Sequence, residues 1–231
     1  MDLLEYQGKQ LFAKHGVPVP EGRPASSPAE AVEAAESLGY PVVVKAQVLI
    51  GGRGKAGGIK LAKNRAEAEE HSTAILGMDI RGFTVRELYI EKASDIAEEY
   101  YAAIIFDRSA KAPMAMLSRM GGMDVEAIAE EDPNAIVRVH IDPLIGFQDF
   151  HGRRLAFRAG IAADVIRPVG ALLARLYETF VAEDAMLVEV NPLLVTGSRD
   201  VVALDAKVTI DANALWRHPD TAAFRLSLIH I

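Results

Sequence analysis

A glycine-rich segment that follows an apolar run containing one lysine is the first part of the sequence with recognisable chemistry. The segment from Gly51 to Gly58 carries Arg53 and Lys55, and Lys45 interrupts the apolar run before it. Glycine backbones approach an anion closely and donate N–H groups to it. A lysine buried in an apolar strand is costly without an anionic partner. The pattern therefore predicts a phosphate-binding site; the alternatives are a mobile basic turn and a lysine that reaches solvent from a strand edge.

Two known glycine motifs do not fit this segment. The spacing of Gly52, Gly54 and Gly57 matches a dinucleotide-binding fingerprint, which requires a helix after its last glycine. The residues that follow, Ile59–Ala62, instead predict a strand. The Walker sequence fails because Ala56 stands where it needs serine or threonine. We interpret the segment as a hairpin loop able to fold over a polyphosphate.

A polar cluster inside an apolar hairpin predicts a site for a hard divalent cation. If the chain folds back about Ser198, Asn191 faces Asp205, and Glu189 lies on the same face opposite Lys207. Directly paired Cβ atoms lie about 4.5–5.5 Å apart. An amide oxygen and a carboxylate at that separation suit Mg²⁺, which keeps the rest of its shell for water and phosphate oxygens.

Apolar residues surround this cluster on both predicted faces of the hairpin. Strict alternation places the following residues on the opposite face: Val188, Val190, Leu194, Val202 and Leu204. Leu193, Val195 and Ala203 would flank the polar residues on their own face. The alternative is the solvent-exposed face of an edge hairpin that carries ordinary polar residues.

Helical and extended patterns alternate along the chain. Helical spacing predicts helices at 3–15, 28–39, 65–76, 125–131, 155–161 and 165–181. β-Branched and apolar runs predict strands at 42–48, 59–62, 88–91, 100–106, 114–117, 136–141, 186–195 and 201–208. The two types are interleaved without a regular strand–helix–strand period, which indicates an α+β fold.

The composition excludes several classes of function. Half of the 231 residues are apolar, enough for a sizeable core, and the net charge is −7. Such an acidic chain is poorly suited to nucleic acid or anionic lipid, so we expect neither as a partner. The absence of cysteine excludes thiolate metal sites, and the 6 histidines form no pair at helical ligand spacing. Since no signal-peptide or membrane-spanning pattern is found, we expect a cytoplasmic protein.

Five separated motifs together resemble the β subunit of succinate–CoA ligase (succinyl-CoA synthetase) of the ADP-forming type. They are EYQGKQLF at 5–12, VKAQ and GGRGKAGG within 44–58, DRS at 107–109, VEVNPL at 188–193 and LDAK at 204–207. They stand in the family's order, and the resemblance covers residues 1–225. It implies an α+β ATP-grasp fold, in which two lobes enclose a nucleotide and the smaller lobe is inserted at about residues 20–100.

The resemblance implies nucleotide-binding roles for seven residues. Lys45 is similar to the family's phosphate-binding lysine, and the family's phosphate-covering loop corresponds to Gly52, Arg53 and Gly54. Further nucleotide-binding positions correspond to Glu91, Ser94 and Glu99, and many members carry threonine in place of Ser94.

The resemblance also implies a metal site, a catalytic residue and a nucleotide preference. Asn191 and Asp205 match the two Mg²⁺ ligands of the family. Glu189 matches a catalytic glutamate that meets the phosphohistidine of the partner subunit. Pro20 resembles the members that use adenine nucleotides rather than guanine nucleotides.

The implied reaction converts ATP, succinate and CoA into ADP, phosphate and succinyl-CoA in the citric acid cycle. By resemblance it passes through a phosphohistidine on an α subunit, which also holds CoA. This chain would bind ATP or ADP with Mg²⁺, and its part in catalysis would be positioning and electrostatic stabilisation of the phosphoryl group.

Two expectations concern the end of the chain, and two alternatives concern its activity. Family members continue with a flavodoxin-like ligase domain, which we expect to be absent here, and we expect residues 226–231 to be a foreign tail. The β subunit of malate–CoA ligase shares all five motifs, so malate is the alternative acid. The second alternative is a nucleotide-binding fragment without activity of its own.

Overall fold

The computed structural model of the protein describes residues 1–123, 125, 127, 130, 132 and 134–229. Its helices are α1 (Glu5–Lys14), α2 (Pro28–Leu38), α3 (Arg65–Ile75), α4 (Asp149–Arg158), α5 (Ile166–Ala182) and α6 (Pro219–Ile229), with a 3₁₀ helix at Ala212–Arg217. Its strands are β1 (Gly22–Ala25), β2 (Val42–Gln47), β3 (Ile59–Ala62), β4 (Asp79–Ile80), β5 (Phe83–Thr84), β6 (Glu87–Lys92), β7 (Glu98–Asp107), β8 (Ala112–Ser118), β9 (Val137–His140), β10 (Ala185–Val195), β11 (Val201–Ala203) and β12 (Lys207–Ile210). The predicted α+β class is confirmed. Among these described residues, no helix has both the length and the apolar character needed to cross a bilayer.

The chain divides into two compact units. The smaller comprises Leu4–Tyr6 and Pro20–Ser94, and the larger comprises Met1–Leu3, Gln7–Val19 and the residues from Asp95 onward. The first turn of α1 thus belongs to the smaller unit and the rest of that helix to the larger one.

The smaller unit is an antiparallel sheet of strand order β1-β6-β2-β3, against which α2 and α3 pack. The side chain of Ser27 accepts a hydrogen bond from the N–H of Glu30, Pro28 occupies the first turn of α2, and Gly39 ends the helix with φ 77°. Buried aliphatic side chains of α2, β2 and β6 form its core.

The larger unit is an antiparallel sheet of order β11-β10-β7-β8-β9, in which β12 also pairs with β10. The 17-residue helix α5 packs on β10 and β7, and α4 packs across α5. This helix-covered face of the sheet carries the main core. A smaller apolar cluster contains Tyr101, Ala103, Met114 and Met116 of β7 and β8.

Three predicted elements need comment. The helix predicted at 155–161 extends instead from Asp149 to Arg158. The sequence pattern does not reveal its start, because the first turn is polar and has no apolar period. In that turn the N–H of Gln148 donates to Nδ1 of His151 at 2.9 Å. The single strand predicted at 201–208 is wrong, since the chain forms β11 and β12 with a break between them. The helix predicted at 125–131 includes positions outside the described residues.

Candidate functional site

Lys45 lies in a buried network of ion pairs in the smaller unit. Its side chain is 7% exposed, and Nζ lies 2.9 Å from Oε1 of Glu5 and 2.6 Å from Oε1 of Glu91. Arg53 is also buried; its Nη1 donates to Oε2 of Glu5 at 2.5 Å and to the carbonyl of Ala46 at 3.0 Å. Lys45 and Arg53 therefore hold the two oxygens of one carboxylate.

The anionic partners of Lys45 within the protein are two carboxylates, Glu5 and Glu91. Glu5 comes from a helix 40 residues earlier in the chain. Glu91 lies on β6, paired with Val43 of the strand that carries Lys45. Neither neighbour follows from the alternation pattern of a single strand, because both depend on tertiary pairing. The role of Lys45 in phosphate binding stays a prediction.

The glycine loop between β2 and β3 is folded into successive turns. The N–H of Ala56 donates to the carbonyl of Gly52 at 3.2 Å, and that of Gly57 donates to the carbonyl of Gly54 at 3.0 Å. Gly52 has φ 77°, a left-handed conformation that favours glycine. The predicted hairpin is confirmed by the antiparallel pairing of β2 with β3.

The end of this loop is packed against the sheet of the smaller unit. The N–H of Gly58 donates to the carbonyl of Arg53 at 2.9 Å, and the N–H of Ala46 donates to the carbonyl of Gly58 at 2.7 Å. A Cβ on Gly58 would lie 2.8 Å from Cδ1 of Ile80, so only glycine fits without movement. The alternative of a mobile basic turn does not fit Arg53, whose guanidinium is buried.

Burial and nearby carboxylates make the hydroxyl of Tyr89, which lies beside Lys45, less acidic than usual. Tyr89 pairs with Lys45 across β2 and β6, and its ring stacks on that of Tyr6 with 6.3 Å between centroids. Burial raises the pKa of the Tyr89 hydroxyl well above its usual value, and the charges of Glu91 and Glu5 raise it further. Tyr89 is therefore a neutral hydroxyl at physiological pH.

The register of the acidic hairpin is the predicted one. Val195 pairs with Val201 and Leu193 with Ala203 at the turn end. Further along, Glu189 pairs with Lys207 between β10 and β12, as predicted. Asn191 and Asp205 lie in the interval between these two ladders. Their direct pairing stays a prediction that the register on both sides supports.

The two faces of the hairpin exchange at this interval, which contradicts the strict alternation expected from the sequence. Val188 and Val190 share the main core with Leu193 and Val195, which were predicted on the opposite face. The reason is one extra residue on β10: Val190 and Leu193 pair with Ala102 and Tyr100 of β7. Pro192, which has no N–H for the ladder, occupies this bulge after a cis peptide bond.

Asn191, Asp205 and Glu189 are each half-buried in the larger unit. Oδ1 of Asn191 accepts from the N–H of Gly122 at 2.9 Å, and Oδ1 of Asp205 accepts from the N–H of Ala206 at 2.8 Å. The hydroxyl of Tyr101 donates to Oε2 of Glu189 at 3.3 Å.

An amide oxygen and a carboxylate are suitable donors for a hard divalent cation. Among the described residues, no three carboxylate or imidazole side chains are grouped so that they could hold a metal by themselves. A cation at Asn191 and Asp205 would therefore need water or a ligand to complete its shell.

The three remaining predicted residues belong to different parts of the chain. Glu91 is 1% exposed on β6, and Ser94 is partly exposed at the end of the smaller unit. Glu99 lies on β7 in the larger unit, where it pairs with Leu194. Its Oε2 lies 2.9 Å from the position that a Cβ on Gly122 would take.

Sequence reasoning missed two participants in these clusters. Glu5 stands inside one of the five motifs but was given no role. The turn at Gly121–Gly122 was given no role either, yet the N–H of Gly122 donates to Oδ1 of Asn191, and a Cβ on Gly122 would lie 2.9 Å from Oε2 of Glu99. In the sequence, the double glycine indicates a turn at this position but does not reveal which strand the turn contacts.

Residues 2–195 match the ATP-grasp domain family. The β subunit of ADP-forming succinate–CoA ligase from Natronomonas pharaonis is 51% identical over 220 residues, which are 95% of this chain and 58% of that protein. The ADP-forming β subunit from Rubrobacter xylanophilus is 50% identical, and the GDP-forming β subunit from Thermus thermophilus is 48% identical; both matches cover 97% of this chain and 59% of the relative. The chain thus spans less than two thirds of the length of these relatives.

Solved structures share the fold at lower identity. Acetyl-coenzyme A synthetase 1 from Ca. Korarchaeum cryptofilum aligns with a TM-score of 0.75 at 19% identity, over 91% of this chain and 93% of that chain. ATP citrate lyase from Methanothrix soehngenii aligns with a TM-score of 0.72 at 23% identity, over 93% of this chain and 52% of that chain. The predicted resemblance is confirmed by the curated relatives: the chain belongs to the ATP-grasp family and is a homologue of the β subunits of succinate–CoA ligase.

Proposed function

We propose that this chain is the nucleotide- and Mg²⁺-binding region of a succinate–CoA ligase β subunit of the ADP-forming type. The reaction would convert ATP, succinate and CoA into ADP, phosphate and succinyl-CoA. The observation that carries the proposal is about 50% identity to such β subunits across 95% of the chain.

In the smaller unit, Lys45 and Arg53 would bind the phosphates of the nucleotide. They already hold the two oxygens of the Glu5 carboxylate, a geometry that two phosphate oxygens could also adopt. Gly52 and Gly54 would bring loop N–H groups close to the same anion. Glu91 and Ser94, from the same unit, would complete the contacts to the nucleotide.

In the larger unit, Asn191 and Asp205 would hold Mg²⁺ through one amide and one carboxylate oxygen, and Glu99 would contact the nucleotide. When bound, the metal neutralises negative charge on the phosphoryl group that is transferred. Glu189 would meet the phosphohistidine of the partner, and the hydroxyl of Tyr101 orients its carboxylate.

The partner would be an α subunit that carries the phosphohistidine and the CoA site, and the compartment would be the cytoplasm. Adenine nucleotides are the proposed substrates because Pro20 resembles the adenine-using members. The curated relatives include both ADP-forming and GDP-forming enzymes, so their names do not decide this preference.

Calorimetric titration of the chain with ADP and with GDP, each with and without Mg²⁺, tests the binding part of the proposal. We expect tighter binding of MgADP than of MgGDP. Asp205→Asn should remove most of the Mg²⁺ dependence and leave metal-free binding nearly unchanged, because it deletes an anionic ligand and preserves shape. Mg²⁺ dependence that survives this substitution would exclude Asp205 as a ligand.

Phosphoryl transfer tests the catalytic part. The chain, γ-labelled ATP and Mg²⁺ are mixed with the α subunit of a curated relative, and the label on that subunit is followed. We expect labelling that Glu189→Gln slows. Binding of MgADP without any labelling would instead favour a nucleotide-binding fragment. Release of the label with CoA and either succinate or malate would identify the acid.

A further inference from the structure

The turn after β8 contacts both ends of the Asn191 side-chain amide. The N–H of Gly122 donates to Oδ1 of Asn191 at 2.9 Å, and Nδ2 of Asn191 donates to the carbonyl of Met123 at 2.8 Å. The reverse orientation of the amide would set N–H against N–H and oxygen against oxygen. One donor and one acceptor from adjacent residues therefore determine where Oδ1 points.

This turn can reach Asn191 only because two glycines precede Met123. A Cβ on Gly121 would lie 2.3 Å from the carbonyl oxygen of Tyr100, so the turn rests directly on the backbone of β7. Gly122 has φ 72°, and a Cβ there would lie 2.9 Å from Oε2 of Glu99. A larger residue at Gly121 would clash with the backbone of β7. A larger residue at Gly122 would be strained by its positive φ and would require the Glu99 carboxylate to move.

We propose that the segment Gly121–Met123 positions Asn191 as a metal ligand and requires an amide, rather than a carboxylate, at that position. The inference rests on the proposed Mg²⁺ site and adds a positioning element to it. An amide oxygen has two lone pairs, so the bond from Gly122 leaves one free for a cation. Groups that orient a metal ligand in this way typically change metal affinity when they are lost.

The chemistry of the Met123 contact explains why aspartate would be a poor substitute. A carboxylate at position 191 would place a second oxygen against the carbonyl of Met123, where the amide now donates at 2.8 Å. Two acceptors without a proton repel each other, so the carboxylate must turn away from its present orientation. Asn191→Asp therefore weakens cation binding, although it adds a negative charge beside the cation.

The test measures Mg²⁺-dependent binding of ADP by the whole chain for wild type, Gly122→Ala, Asn191→Asp and Gly160→Ala. Gly160 is the matched control: its φ of 71° is nearly that of Gly122, and a Cβ there would meet Arg119 Cδ at 3.9 Å. We expect Gly122→Ala and Asn191→Asp to lose roughly tenfold or more in Mg²⁺ affinity. Gly160→Ala should keep the wild-type Mg²⁺ affinity.

A spectroscopic measurement tests whether Gly122 lies beside the bound cation. With Mn²⁺ and ADP, the amide resonance of Gly122 should broaden in wild type, since its N–H bonds to the same oxygen that ligates the cation. The inference is overturned if Asn191→Asp binds Mg²⁺ as tightly as wild type or more tightly, or if Gly122→Ala resembles Gly160→Ala. If wild type shows no Mg²⁺ dependence at all, the proposed metal site fails first.

Discussion

Lys45 is a buried cation with two carboxylate partners, so its removal acts on folding as well as on binding. We expect Lys45→Met to lower the free energy of unfolding by about 3 kcal/mol, because Glu5 and Glu91 remain buried with one fewer cation. It should also weaken nucleotide binding by roughly 1.5–3 kcal/mol, the range for hydrogen bonds to charged groups. Urea denaturation and calorimetry measure the two effects.

The double variant Lys45→Met/Glu91→Gln separates these two roles. It removes one positive and one negative charge, so the net charge of the network is the same as in wild type. We expect much of the stability to return while nucleotide affinity stays low. If affinity recovers together with stability, Lys45 acts only through the fold and makes no contact with phosphate.

Among the elements of the larger unit, α4 and α5 cross unusually closely. A Cβ on Gly152 would lie 2.4 Å from the carbonyl oxygen of Gly170, and one on Gly170 would lie 2.9 Å from the backbone nitrogen of Arg153. The pair of glycines therefore allows backbone-to-backbone contact between the two helices. The longer of the two helices, α5, packs on β10, the strand that carries Asn191 and Glu189.

Gly152→Ala reverses the usual effect of this substitution. Alanine in place of glycine normally stabilises a helix interior by about 0.5–1 kcal/mol. Here we expect a loss of roughly 1–3 kcal/mol, because the two helices must separate. Thermal unfolding followed by circular dichroism measures the sign. Gly51→Ala is the control: no described atom lies within 4 Å of its Cβ position, and its melting temperature should barely change.

The larger unit as a whole is joined by a charged cluster at Glu183 and Asp184, directly after α5. The groups that contact these two carboxylates come from the end of α1, the 3₁₀ helix and its following residue, and α6: Lys14, His15, Arg217, His218 and Thr221. Burial would raise the pKa of Glu183, but hydrogen bonds from His15, Lys14 and Thr221 outweigh it and hold the pKa at about 2. Hydrogen bonds from Arg217 and His218 lower the pKa of Asp184 to about 2.

This cluster predicts loss of stability in acid. Because both carboxyl groups have lowered pKa values in the folded state, they contribute fully above their ordinary values of 4.5 and 3.8, and the contribution falls as the pH drops toward 2. Urea denaturation between pH 7 and pH 3 should show a decreasing free energy of unfolding below about pH 4.5. Glu183→Gln should be less stable at pH 7 and should flatten this dependence; an equally steep decrease in the variant would assign it to other carboxyl groups.

The sequence alone determined the α+β class, the family, the glycine hairpin and the register of the acidic hairpin. The class and the two hairpins follow from local signals: turn residues, alternation within a strand, and pairing about a tight turn. The family follows from five motifs in a characteristic order. The helix Pro28–Leu38 was predictable for the same reason as the hairpins, because its capping serine, first-turn proline and final glycine lie at its own two ends in the sequence.

Tertiary structure alone decided which residues surround the candidate ligands. Glu5 reaches Lys45 from 40 residues away, and Gly122 reaches Asn191 from 69 residues away, so no local pattern contains either contact. The exchange of faces between Val190 and Leu193 depends on an extra residue relative to β7, which a period of two within β10 cannot reveal. Charge pairing and side-chain orientation are properties of neighbouring elements, and those neighbours are fixed only when the chain has folded.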